Sequence, residues 1–187
     1  WREYLNYGEG YLTDWTPHHP DIAAWALGYD DSGPEQVLIS KGNGGPVLTY
    51  IWPNGVPMKL EKPDLAYHKE DDGRVFFIGT EGTAIANRGN YLKTYPDHLA
   101  SISFKPGDDL LYVSNHHFGN WIDCIRTRRA CVCPPEAGHR SASLGHMGNL
   151  ALRFKRDIRW DAQAERYPGD AFLNRFLSRS LRSPWTL

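Results

Sequence analysis

Two carboxylates and two imidazoles lie within one short stretch near the start of the chain. Asp14 and Asp21 flank the adjacent pair His18 and His19, and an apolar run follows as far as Gly28. This pattern predicts a helix whose start carries acid–base groups and whose body packs into a core. A carboxylate four residues before an imidazole can fix the imidazole tautomer and increase its basicity. Such a pair can remove a hydroxyl proton while hydride leaves the same carbon.

The same residues also have an ordinary structural explanation. Asp14 can serve as a helix cap and His18 as an exposed side chain without any chemical role. The helix is predicted to start near Thr16 or Pro17, with Thr16 as the N-cap and Pro17 in the first turn. On physical grounds the catalytic and structural interpretations are about level.

A metal site is a further alternative. Carboxylates and imidazoles suit zinc or manganese. Adjacent histidines on a helix point in different directions, so a shared ion requires histidines from elsewhere in the fold. The candidate ligands of this alternative site are Asp14, His18, His19, His139 and His146. The acid–base pair is the preferred interpretation.

The remaining histidines have simpler predicted roles. A long helix is predicted over residues 135–155. Its polar residues recur at helical spacing and form one stripe, made of His139, Ser143, His146 and Arg153. A solvated helix face explains this stripe better than a buried network. The pair His116-His117 precedes another predicted helix and is assigned to capping or to the surface.

Composition narrows the class of protein. The 187 residues are 41% hydrophobic, which favours one soluble globular domain. The net charge of −1 gives no electrostatic field that would attract nucleic acid or an anionic membrane. Seven Trp and ten Tyr suit sugar ligands, subunit interfaces or plain cores. No signal peptide or membrane-spanning run is predicted, and the compartment, bacterial cytoplasm or periplasm, stays open. The three cysteines are predicted to be free thiols.

Cofactor motifs are absent from the sequence. No Gly-x-Gly-x-x-Gly follows a predicted strand, and there is no P-loop and no Gly-x-Ser-x-Gly elbow. We therefore expect no dinucleotide to bind this chain alone.

The predicted elements define an α+β fold: an open-faced, mostly antiparallel sheet with helices packed on one face. A single domain over residues 1–187 is predicted, with a lead-in and helix (1–28), a strand-rich middle (34–94) and a helical part (115–178). The predicted strands are 36–40, 47–52, 57–61, 74–79 and 83–87. The later predicted helices are 115–129, 135–155 and a short one within 161–178. Loops are predicted over 64–73 and 95–107.

Several stretches together carry a resemblance to a known family. The run Thr13-Asp-Trp-Thr-Pro-His-His-Pro-Asp21 resembles the Asp-x-Gly-x-His-x-x-Asp segment of the Gfo/Idh/MocA (glucose–fructose oxidoreductase/inositol dehydrogenase) family. Later segments of that family are similar to the stretches Ile78-Gly-Thr-Glu-Gly-Thr83, Asn120-Trp-Ile-Asp-Cys-Ile-Arg126, Gly138-His-Arg-Ser-Ala142 and Gly148-Asn-Leu-Ala-Leu-Arg153. The match is spread over nearly the whole chain.

The resemblance covers only the C-terminal domain of that family. The Rossmann domain, with its Gly-rich fingerprint and its Glu-Lys-Pro catalytic lysine, is not in this chain. Glu61-Lys-Pro63 spells the same tripeptide but follows the Asp/His motif instead of preceding it. Another departure is Thr16, which stands where the family usually has Gly.

The resemblance implies a sugar or polyol substrate bound between the sheet and the missing Rossmann domain, and homo-oligomers formed through the sheet face. By this resemblance Asp14 and His18 are the catalytic pair, and we assign Trp15, His19 and Asp21 to substrate binding. NAD or NADP would bind the intact protein.

Two function classes remain beside this leading hypothesis. One is a stand-alone metal-dependent carbohydrate lyase or hydrolase that uses the His/Asp cluster. The other is a non-catalytic carbohydrate-binding module.

Overall fold

The chain forms two compact units. The computed structural model describes residues 1–61, 74–108, 110–179 and 181–185. Unit 1 comprises residues 1–16, 32–61 and 143–187, and unit 2 comprises residues 17–31 and 62–142. The predicted single domain over 1–187 stays a prediction, and the loop predicted over 64–73 lies outside the described residues.

The elements alternate between the units. In chain order they are α1 (Tyr11–Trp15), α2 (His19–Ala26), β1 (Gln36–Gly42), β2 (Gly45–Ile51), β3 (Pro57–Leu60), β4 (Val75–Ile78), β5 (Thr83–Asn87), β6 (Tyr91–Tyr95), a 3-10 helix (Asp97–Ser101), α3 (His117–Thr127), α4 (Pro135–Phe154), β7 (Ile158–Arg159) and α5 (Ala171–Asn174). The strands form one sheet in each unit, in the orders β3-β2-β1-β7 and β4-β5-β6. All of these pairings are antiparallel, so the predicted α+β class with antiparallel strands is confirmed, with the strands divided between two sheets.

The unit 1 sheet is built on a tight hairpin. β1 and β2 pair from Gln36↔Ile51 to Gly42↔Gly45, with a two-residue turn between them. Successive side chains of a strand point to opposite faces. Val37, Tyr50 and Met58 share one face and are buried, so this face forms the core.

Helix α4 packs on that face at very close range. The Tyr50 hydroxyl, which is fully buried, donates a hydrogen bond of 2.8 Å to the backbone carbonyl of Leu144. Gly148 lies against the Tyr50 hydroxyl and the side chains of Leu12 and Leu48, where an added Cβ would clash with all three. The absence of a side chain at Gly148 lets the helix approach the sheet. Burial raises the pKa of Tyr50, so its hydroxyl stays protonated as a donor.

The N-terminal lead-in is held in unit 1 by one carboxylate. Glu9 accepts hydrogen bonds of 2.7 Å from both His146 and Arg179, and its backbone carbonyl accepts one of 2.8 Å from Asn149. Burial acts to raise the pKa of Glu9, but His146 and Arg179 outweigh it and hold the pKa below its ordinary value. Sequence reasoning missed this network because its members lie at opposite ends of the chain.

We expect Glu9→Gln to destabilise the protein by about 1 kcal/mol at neutral pH, because both partners, His146 and Arg179, are about half exposed. A carboxyl whose folded-state pKa is lowered stabilises the fold above its ordinary value of 4.5 and loses this contribution as pH falls through the folded-state pKa. The stability difference between wild type and E9Q should therefore shrink below pH 4.5 in urea titrations. Glu81→Gln, at an exposed position, is the control. A difference that grows in acid would contradict this account.

Unit 2 has a core of its own. Ile85 of β5 is fully buried, and α2, which packs against β4, buries Pro20, Ala23 and Ala24. Trp25 and Ala26 of the same helix are exposed. The small side chains of Ala23 and Ala24 suit a close contact between helix and sheet.

The start of the first helix also differs from the prediction. Thr16 is the C-cap of α1, and the N-cap of α2 is His18. The Thr16 hydroxyl is buried against Gly145 and has no hydrogen-bond partner in the described residues, so it does not cap α2. Gly28 ends the helix region with φ of +72°, as predicted.

Candidate functional site

The predicted proton-transferring residue, His18, sits at the entrance of α2. It is the N-cap residue, with φ of −116° and ψ of −88°, and its side chain makes no capping hydrogen bond to the helix. Its backbone carbonyl accepts the first bond of the helix, from the amide of Ile22 at 3.1 Å. The imidazole is exposed, so a ligand can reach it.

A partly buried carboxyl lies next to His18 within unit 2. Burial raises the pKa of Asp21, while the neighbouring Ser141 hydroxyl and the His18 charge act against this rise. Asp21 follows His18 by three residues, which places both on the same side of the helix start. Within this unit Asp21 is therefore one electrostatic partner of His18.

His19 has a different environment from His18. Its Nε2 lies 3.0 Å from the Oδ1 of Asn87, the last residue of β5. A hydrogen bond to an amide oxygen requires the proton on Nε2. The two adjacent histidines thus have distinct neighbours, and Asn87 anchors the second one.

Asp14 and Trp15 belong to α1 in unit 1. Asp14 forms an ion pair of 3.5 Å with the Nε of Arg2, and both side chains are substantially exposed. The Trp15 ring packs on Tyr11 with ring centroids 5.6 Å apart. An aromatic pair beside a carboxylate suits the apolar face and hydroxyl groups of a sugar. The predicted pairing of Asp14 with His18 stays a prediction, since the two residues belong to different units.

Further acidic residues cluster around Asp21, and sequence reasoning did not select them. Burial, together with the charges of Asp21 and Asp31, raises the pKa of Asp30. Burial and the charges of Asp21 and Asp30 also raise the pKa of the Cys133 thiol. Cys133 is distant in sequence, so no local pattern could have placed it here.

The metal alternative finds no support in the residues that the structure describes. Across 1–61, 74–108, 110–179 and 181–185, no three His, Cys, Asp or Glu side chains are grouped so that they could hold an ion. His146, one of the candidate ligands, is bound to Glu9 at 2.7 Å.

The other histidine predictions concern helices α3 and α4. His139 and His146 are exposed and Ser143 is half-buried, as expected for a solvated stripe. His116 caps α3, because its Nδ1 accepts a hydrogen bond of 2.8 Å from the amide of Gly119. The predicted capping role of His116 is confirmed. All three cysteines are free thiols, as predicted.

Two open clefts are lined by residues other than the predicted site residues. One, of about 580 Å³, lies between residues 112–116 and α3, and the other, of about 640 Å³, surrounds the start of α5. Neither is lined by His18, His19 or Asp21.

Comparison with protein families assigns the fold. The sequence matches the C-terminal alpha/beta domain of an oxidoreductase family, Gfo/Idh/MocA, over residues 1–187. The chain belongs to this family. The resemblance of its motifs to the Gfo/Idh/MocA C-terminal domain is thereby confirmed. No curated protein and no solved structure matches it.

The Gfo/Idh/MocA family is generally NAD(P)-dependent. A dinucleotide-binding βαβ unit needs parallel strands joined by a helix. Every strand pair that the structure describes is antiparallel. The described part of the domain therefore does not fit NAD(P). None of its helices is both long and apolar enough to cross a membrane.

Proposed function

We propose that this chain is the substrate-binding and proton-transfer domain of an NAD(P)-dependent sugar or polyol oxidoreductase. The observation that carries the proposal is the exposed His18 imidazole at the start of α2, with the carboxyl of Asp21 beside it. Membership of an oxidoreductase family supports the reaction class.

In this proposal His18 accepts the proton of a substrate hydroxyl as general base. The Asp21 carboxylate lies where it can stabilise the imidazolium that forms. Asp14 orients His18, by resemblance to the family motif. Trp15 and His19 contact the sugar or polyol, as assigned from the sequence.

The cofactor and its domain are separate parts of the proposal. NAD or NADP would be held by a dinucleotide-binding domain that pairs with this chain, since the described residues do not fit a dinucleotide. Homo-oligomers through the sheet face belong to the same proposal. The face of the unit 1 sheet opposite the core carries Gln36, Leu38 and Thr49, all of which are partly exposed.

An activity assay of the chain alone tests whether substrate binding belongs to this chain and cofactor binding to another domain. We expect the purified chain to show no polyol oxidation with NAD or NADP, measured by absorbance of the reduced nicotinamide over a panel of sugars and cyclitols. Joining the chain to a dinucleotide-binding domain of the same family should give turnover. Measurable turnover by the chain alone would show that the proposed division is wrong.

A further inference from the structure

Two cysteine side chains of unit 2 lie in contact near the end of helix α3. Cys124 is buried on the helix, and Cys131 is half-buried in the connection that leads to α4. The two thiols are in hydrogen-bond contact with each other. Neither residue takes part in the proposed catalytic function. Two thiols held in contact have the starting geometry for a disulfide.

Two hydrogen bonds hold the connection against α3 on either side of Cys131. The Sγ of Cys124 donates one of 3.4 Å to the carbonyl of Ala130, and the amide of Val132 donates one of 3.1 Å to the Oδ1 of Asn120. Asn120 and Cys124 are one helical turn apart, about 6 Å, which two residues of chain can span. The segment from Ala130 to Val132 therefore runs back along α3 and holds Cys131 against the helix.

The end of α3 reverses the chain and leaves it adjustable. Arg128, the C-cap residue, has φ of +60°, in the left-handed region that turns a chain out of a helix. Residues 128–134, all of which the structure describes, contain no helix or strand. A disulfide requires the two sulfur atoms to approach to about 2.05 Å. Thiols already in contact reach this separation by a small movement of the connection, which breaks no helix or strand.

The third cysteine, Cys133, is exposed and has other neighbours. Burial raises the pKa of its thiol, and the charges of Asp21 and Asp30 raise it further. Cys133 therefore borders the acidic residues near His18. The pKa of Cys131 is also raised, first by its hydrogen bond with Cys124 and last by the charge of Cys133. The closest thiol partner of Cys131 is thus Cys124.

We propose that Cys124 and Cys131 are a redox-active pair that a low-molecular-weight disulfide oxidises to an intramolecular disulfide. Cys131 reacts first, because it is the more accessible thiol of the two. Its thiolate attacks one sulfur of the reagent, the S–S bond of the reagent breaks, and one thiolate leaves. The Cys124 thiolate then attacks the Sγ of Cys131, forms the S–S bond of the protein and releases the second thiolate. The two cysteine protons pass to the released thiolates, so the pair loses two electrons and the reagent gains them.

Thiol titration of the full chain in oxidised glutathione tests this pair. Cys133→Ser removes the exposed thiol, which would react separately, and keeps the pair intact. The incubation is made at about pH 8.5, because the thiolate is the attacking species. We expect both remaining thiols of C133S to disappear, with the loss of two hydrogen atoms in the intact mass and no bound glutathione. In oxidised wild type, trypsin cleavage after Arg126 should leave the peptides of Cys124 and Cys131 joined until they are reduced.

The double variant C131S/C133S is the matched control, since it keeps only the buried Cys124. It should retain its free thiol under the same conditions. Far-UV circular dichroism should be the same before and after oxidation, because ring closure breaks no helix or strand. Two free thiols in oxidised C133S, a stable glutathione adduct on Cys131, or a disulfide between two chains would each overturn the proposal. Fragment masses that join Cys124 to Cys133 in the wild type would overturn it as well.

Discussion

Replacing Gly148 with alanine is expected to lower the free energy of unfolding by up to about 2 kcal/mol, although alanine is the better helix former. The added Cβ would meet the Tyr50 hydroxyl and the ends of Leu12 and Leu48. Tyr50 is fully buried and fixed by its bond to Leu144, so it cannot move aside. Overpacking of this kind costs about 1–3 kcal/mol, against a gain of about 1 kcal/mol in helix propensity.

The same helix offers a matched control. A Cβ added at Gly138 of α4 would meet nothing within 4 Å, and the position is exposed. We expect Gly138→Ala to raise stability by up to about 1 kcal/mol, because propensity acts there without a clash. Urea unfolding of both variants gives the comparison. Equal effects of the same sign would show that close packing at Gly148 does not govern the approach of α4 to the sheet.

Sequence patterns predicted the elements that local signals define. β1 to β5 follow from β-branched or apolar runs bounded by Gly and Pro turns, and α3, α4 and the short α5 from helical spacing. The strand β6 (Tyr91–Tyr95) was not predicted, because its alternating polar residues resemble a loop until β5 pairs with it. The two-residue strand β7 exists only through its pairing with Gln36 and Val37. Such elements depend on tertiary partners that a local pattern does not contain.

The contacts of the candidate site were likewise predictable from the sequence only in part. The sequence marks His18 and Asp21 as neighbours, because three residues on a helix bring side chains together. Asn87 contacts His19 from sixty-eight residues away, and Ser141 of α4 lies near Asp21. Spacing along the chain carries no information about these contacts. The Thr16 cap was wrong for the same reason, since a residue from α4, Gly145, determines where the Thr16 hydroxyl lies.

Of the predicted substitutions, replacement of His18, the first of the two adjacent histidines, has the largest expected effect on activity. A positioned general base contributes about 10²–10⁴ to the rate. His18 is exposed next to Asp21, whereas one ring nitrogen of His19 is taken up by Asn87. We therefore expect His18→Ala to lower kcat by about this factor in an oxidoreductase that joins this chain to a dinucleotide-binding domain. His19→Ala should act mainly on the KM for the polyol.

Steady-state kinetics of His18→Ala tests the proposed function most directly. His98→Ala, an exposed histidine of the 3-10 helix, is the matched control and should behave as wild type. The measurement is kcat for NAD(P)-dependent polyol oxidation by the joined protein. A loss of about 10²–10⁴ in H18A, with the KM for NAD(P) unchanged, is the predicted result. Activity of H18A within twofold of the H98A control would contradict the assignment of proton transfer to His18.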